Sequence, residues 1–105
     1  MGEKRDIKIV KEFKRKLSEY LPLKKLILFG SRASGKKHEF SDFDLIVVSP
    51  KFKRKKMFER GIVLYDYWNM NYPVDFLCYT PEEFDRLKKK VTIVREALKQ
   101  GIEIK

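Results

Sequence analysis

A single cysteine, Cys78, and a single histidine, His38, remove two common ways of stapling a small domain together. One cysteine excludes an intrachain disulfide, and its place in an apolar segment marks it as an inert core thiol. A metal site built on Cys78 would need His or Cys companions, and His38 is the only one. No apolar run approaches the ~20 residues of a membrane helix. Residues 1–6 contain no apolar signal region, so a cytoplasmic location and no membrane partner are expected. Repeats, linkers and low-complexity segments are absent. At 105 residues the chain is expected to form one domain, 1–105, with one core.

Asparagine and glutamine are also scarce, whereas Lys+Arg number 25 against 15 Asp+Glu, a formal charge of +10. A Lys- and Glu-rich surface poor in Asn, Gln and Cys is the composition of many hyperthermophile proteins. The same charge attracts polyanions, including nucleoside triphosphates and nucleic acid. The cations are spread over residues 14–16, 51–56 and 88–90, with no recognised RNA or DNA motif. A solvated surface with anion steering as a secondary benefit is therefore preferred to direct nucleic-acid binding.

The informative stretch is 26–49. An apolar run at 26–29, too short for a helix, ends at Gly30-Ser31 and reads as a buried strand. A second strand, 45–48, is entered through Asp42-Phe43-Asp44. Side chains two apart on a strand share a side, so Asp42 and Asp44 present their carboxylates together. Such a pair calls for a cation, and hard divalent ions, above all Mg²⁺, take oxygen ligands and substrate phosphates together. Gly30 lets backbone amides approach an anion. A helical turn starting at Ser31 would add its hydroxyl, as cap or phosphate ligand, and the Arg32 guanidinium.

Gly30-Ser31, a spacer, and Asp42-Phe43-Asp44 resemble the signature of the polymerase-beta-like nucleotidyltransferase superfamily. The Phe-Gly-Ser-Arg opening and small size are most similar to its minimal (MNT-domain) branch. That family expects a third carboxylate on a later strand, and Asp75 in Val74-Asp75-Phe76 fits. Many relatives carry a second basic residue where this chain has Ser34, a place that Lys36 or Lys37 could fill.

The rest of the chain supports an α/β fold, a small mixed sheet with helices mainly on one face. Ile7, Val10, Phe13, Leu17 and Leu21 recur at helical spacing, giving an amphipathic helix over 6–20 stopped by Pro22. Met57, Phe58, Ile62, Tyr65 and Trp68 predict a long helix over 53–70, with Gly61 packed closely on a neighbour. Its aromatics, Tyr67 and Trp68, suit either a wedge beneath the sheet or a partner interface. A third strand is expected at 74–79. Thr80-Pro81-Glu82-Glu83 opens a helix with Thr80 as N-cap and Glu83 as its capping-box partner. A last helix, 92–100, is stopped by Gly101, and residues 102–104 make a short strand or tail.

The resemblance implies an enzyme in which Asp42 and Asp44 hold two Mg²⁺ ions, Asp75 joins one of them, and Gly30, Ser31 and Arg32 bind the phosphates of ATP. MNT-domain proteins commonly partner a helical HEPN protein encoded nearby, often as antitoxin to a HEPN ribonuclease, and some transfer AMP to a toxin tyrosine. Protein AMPylation as the antitoxin of such a pair is the leading expectation. The alternatives are a nucleotide-binding antitoxin without catalysis, the catalytic subunit of a two-chain small-molecule nucleotidyltransferase, and a basic nucleic-acid-binding domain. A homodimer is also compatible with the sequence.

Overall fold

A computed structural model of the protein describes residues 4–35, 41–69 and 71–105. The expected first helix is α1, Lys4–Ser18, whose stripe buries Val10, Phe13 and Leu17, and also Asp6. Strand β1, Lys25–Phe29, leads into a one-turn helix α2, Ser31–Ser34. Strand β2 spans Phe43–Val48, a second one-turn helix, α3, spans Met57–Arg60, and strand β3 spans Val74–Tyr79. Helices α4, Pro81–Leu87, and α5, Ile93–Gln100, follow, and β4 is the two-residue Ile102–Glu103.

Among the described residues the strands form one mixed sheet in the order β3-β2-β1-β4. β1 is antiparallel to both β2 and β4, whereas β2 and β3 are parallel. Strand alternation divides the core in two. Leu26, Leu28, Phe43, Leu45, Val47 and Cys78 face α1 together with Phe52, Leu64 and Trp68. Ile27, Ile46, Val48 and Tyr79 face the opposite side, where Phe84 of α4 and Val94 and Ala97 of α5 cover them. The mixed α/β sheet is as expected, with the helices shared between its two faces.

The long helix expected over 53–70 is not formed. The segment is broken into a 3-10 helix at Pro50–Arg54, the single turn of α3, and a second 3-10 helix at Val63–Tyr67. Gly61 caps α3, and a side chain there would meet Phe76 at an ordinary 3.8 Å, so no close approach requires glycine. Breaking the helix allows Leu64 and Trp68 to enter the same core as Phe52. Trp68 is only 7 % exposed, and its Nε1 donates to the Tyr72 carbonyl at 2.8 Å. Its ring meets Phe13, Phe43 and Phe76 edge-on, at centroid distances of 5.3, 5.1 and 6.4 Å. Trp68 is therefore a core residue rather than an interface anchor, and half-buried Tyr67 stacks on Tyr20 at 5.0 Å.

A bidentate ion pair secures this broken segment to the sheet. Arg60, 6 % exposed, reaches both carboxylate oxygens of Glu83, and also donates to the carbonyls of Lys55 and Cys78 at 3.1 Å each. Glu83 is at the same time the capping-box residue of α4, its Oε1 accepting from the Thr80 amide at 2.9 Å. Cys78 is free and buried, and burial pushes its thiol up to about 12, which makes it inert near neutrality. Among the described residues no helix is long and apolar enough to cross a membrane.

The hydrogen-bonded Arg60 guanidinium holds the Glu83 carboxyl below its ordinary 4.5. The folded state binds that proton less tightly than the unfolded chain. Its contribution to stability is thus complete above the ordinary glutamate value, and is lost as pH falls through the lowered folded one. Glu83→Gln is expected to cost about 1–3 kcal/mol at pH 7 in urea titrations. The cost should shrink as the titration is repeated at more acidic pH.

Candidate functional site

The pairing of the strands gathers the expected carboxylates. Antiparallel pairing of β1 with β2 sets Phe29 opposite Asp44, which brings the Gly30 turn to the start of β2. Parallel pairing of β2 with β3 sets Asp44 directly beside Asp75. Alternation puts both carboxylates on the sheet face that α4 and α5 cover further along, and Asp42, two residues before Asp44, belongs to the same side. Asp44 is half-buried, while Asp42 and Asp75 are exposed. Asp75 therefore carries no cost of burying a lone charge. Burial first, then Asp75, then Asp42 raises the Asp44 carboxyl above its ordinary 3.8.

Gly30 lies against this group. Its φ of +76° is left-handed backbone that disfavours side chains, and a Cβ built there would fall on Asp44 Oδ2. The turn expected to cradle phosphate thus abuts the central carboxylate. Ser31 is the first residue of α2 and is half-buried. Gly30, not Ser31, holds the N-cap position, with no side-chain cap bond. The Gly30 carbonyl instead accepts from the amides of Ala33 and Ser34, each at 3.1 Å.

Arg32 differs most from expectation. Its side chain points into the protein, and both it and Asp6 are 0 % exposed, with Nη1 3.0 Å from Asp6 Oδ1. Nε donates to the Ser41 carbonyl at 2.9 Å. The guanidinium carbon lies 4.1 Å from the centre of the Phe43 ring and 4.7 Å from that of Tyr72. In this arrangement Arg32 is a buried clamp and does not reach out to a phosphate. The sequence carries a signal for it, because Asp6 stands on the α1 stripe four residues before Val10, where an unpaired acid would be costly. Lys36 and Lys37, the expected substitutes for a second basic residue at Ser34, and His38 lie outside the described residues.

The donors suit a hard divalent ion, being carboxylates only, crowded enough that Asp75 and Asp42 both raise Asp44. Among the described residues they are not drawn together as a ready three-ligand group. Magnesium sites usually take one or two carboxylates and complete the shell with water and substrate phosphates, so a closed protein cage is not required.

A family model described as nucleotidyltransferase domain matches residues 8–104. The fold is similar to the crystal structure of a candidate nucleotidyltransferase from Sulfolobus solfataricus, with a TM-score of 0.67 and 25% identity over 94% of this chain and 78% of that one. It is also similar to a chain from a structure described as the toxin-antitoxin with AMP-PNP, with a TM-score of 0.59 and 21% identity over 90% and 71%. A BolA protein homologue from Coxiella burnetii shares the backbone arrangement more loosely, with a TM-score of 0.51 and 20% identity over 82% and 100%. No curated protein sequence matches the chain.

Three substitutions separate the roles of these side chains. Arg32→Met should cost about 3–5 kcal/mol in denaturant titrations because it removes one charged partner from a fully buried carboxylate, and Asp6→Met in the same chain should recover part of that. A phosphate ligand would behave differently, losing nucleotide affinity at unchanged stability. Asp44 has a raised folded value, so its contribution is complete below the ordinary carboxylate range and is lost as pH climbs through that value. Asp44→Asn should therefore hold or raise the melting temperature at pH 7, and flatten its fall between acid and neutral pH.

Proposed function

Because this chain belongs to the nucleotidyltransferase domain family, we propose that it transfers AMP from ATP, with Mg²⁺, to a hydroxyl of a partner protein. The observation that carries the reading is the contact of the Gly30 turn with Asp44, itself in register with Asp75. Phosphate-binding backbone and metal-binding carboxylates would thereby work side by side. Asp42, Asp44 and Asp75 would hold the metal, and Gly30 and Ser31 would hold the phosphates. When bound, two divalent ions supply charge stabilisation to the attacking and leaving oxygens.

The protein's own work is positioning and proton transfer. The acceptor hydroxyl oxygen attacks the α-phosphorus, the bond to the β-phosphate oxygen breaks, and pyrophosphate leaves. Asp75, exposed beside Asp44, takes the hydroxyl proton, a role worth about 10²–10⁴-fold in rate. Its exposure suits an acceptor presented on a macromolecule. The solved toxin-antitoxin with AMP-PNP supports a toxin as that partner. A HEPN-type helical protein encoded nearby, modified on a tyrosine, is the acceptor we propose.

The decisive measurement combines the chain, Mg²⁺, labelled ATP and the neighbouring helical protein, and reads the adduct by intact-mass spectrometry. Wild type should leave one adenylate on a partner tyrosine. Asp75→Asn should keep most Mg-ATP affinity and lose transfer. Ser31→Ala should weaken Mg-ATP binding by about 1–2 kcal/mol, the worth of one hydrogen bond to a charged group. Nucleotide binding and neutralisation of the partner without any adduct would make the chain a nucleotide-binding antitoxin, and adduct formation by Asp75→Asn would remove Asp75 from the reaction.

A further inference from the structure

A cavity of about 190 Å³ lies at the other end of the sheet from the carboxylates. It sits beside the turn that precedes β1 and the segment that follows β2, where Lys25 pairs with Val48. Asp44 is four residues away from Val48 along β2, or about 13 Å of strand. Leu21, Phe52, Val63 and Leu64 provide apolar walls, and the exposed Lys51 and Lys55 stand among the lining residues. None of the described lining residues is acidic. An apolar cavity of about 150 Å³ admits a benzene-sized group, so this one can take a single aromatic or branched side chain.

The surrounding chain continues both features. Exposed apolar side chains flank the lining residues in sequence, Met57 at 56 %, Phe58 at 72 % and Ile62 at 63 %. Residues 50–60 contain six cations, Lys51, Lys53, Arg54, Lys55, Lys56 and Arg60, and one acid, Glu59, a net +5. Arg60 is occupied by Glu83, whereas the lysines stand in solvent.

We propose that this end of the sheet docks an acidic, amphipathic segment of a partner protein, with one apolar side chain inserted in the cavity and carboxylates on Lys51 and Lys55. The charge selects the occupant. A second copy of a chain of formal charge +10 would be repelled. Nucleic acid would satisfy the lysines, but of the two aromatic lining residues Phe52 is buried and Tyr20 is already stacked on Tyr67, which leaves the lining no row of free stacking platforms. A small amphipathic anion would leave Met57, Phe58 and Ile62 uncovered. The inference stands apart from the transfer reading, since it uses none of the carboxylates and leaves their end of the sheet open.

The test is selection of random displayed peptides against the full chain, followed by affinity measurements on Lys51→Glu/Lys55→Glu and on Phe58→Asp. These residues are exposed and remote from the carboxylates, so melting temperature and Mg-ATP affinity should match wild type. Selected peptides should carry Asp or Glu around one aromatic or branched residue and weaken with added salt. They should lose about tenfold or more in affinity on the double charge reversal, and lose affinity on Phe58→Asp as well. The proposal is overturned if no peptide is enriched, if those enriched lack the acidic-apolar pattern, or if their binding ignores the substitutions. It is likewise overturned if the variants abolish oligonucleotide binding, or a concentration-dependent dimer, while peptide binding stays intact.

Discussion

The buried pair of Arg32 and Asp6 holds together the three segments that carry the site. Arg32 belongs to the turn directly after Gly30-Ser31, and its Nε donates to the carbonyl of Ser41, the residue before Asp42. Its flat face lies near Phe43, the next residue after Asp42, and Tyr72, three residues before Asp75. Asp6 fixes the other side of the guanidinium to α1, which is packed on the sheet through Val10, Phe13 and Leu17. Arginine can do this because its planar, permanently charged group combines a carboxylate, a carbonyl and aromatic faces in one place. A charge that a surface reading assigns to substrate is thus used to set the spacing of the groups that would meet it.

The carboxylate end and the rest of the molecule have opposite electrostatic characters. At one place burial, and after it the neighbouring carboxylates of Asp75 and Asp42, raise the Asp44 carboxyl above its ordinary value, and the fold bears that cost. Elsewhere the surplus is positive, with a formal charge of +10 for the chain. A triphosphate approaching with its cations meets a field that attracts the phosphates and carboxylates that attract the metal. Arg60 and Glu83 show the same economy at the opposite end of the sheet, where one pair caps α4 and fixes the broken 50–67 segment.

Much of this is legible in the sequence. Apolar runs bounded by Gly, Pro and polar clusters mark β1, β2 and β3 to within two residues, and the Thr80 capping box places α4. The motif order points to Gly30, Asp44 and Asp75 sharing one end of the sheet, although only the pairing register makes them neighbours. The segment 53–70 misleads because its apolar residues fit a helical period while covering more than one face. Its β-branched and aromatic residues, Ile62, Val63, Tyr65, Tyr67 and Trp68, give up helix for burial of Leu64 and Trp68. Arg32 misleads for a different reason. Periodicity exposes a buried acid only if the stripe is read through Asp6 as well as through its apolar members.

The placement of β4 has a consequence for how the molecule comes into being. β1 is flanked by β2 on one side and, on the other, by Ile102 and Glu103, with the Ile104 amide donating to the Leu26 carbonyl at 2.8 Å. That second border is made of residues more than seventy positions downstream of Phe29. At about 5–20 residues per second, a growing chain leaves this edge of β1 without its partner for roughly 4–15 s. During that interval the apolar strand Leu26–Phe29 can pair with a neighbouring nascent chain as readily as with its own. Helix α1 is made first and hides one face of that strand, but not its edge. Translation speed and chaperone supply, not only final stability, therefore govern how much of the chain reaches the fold described above.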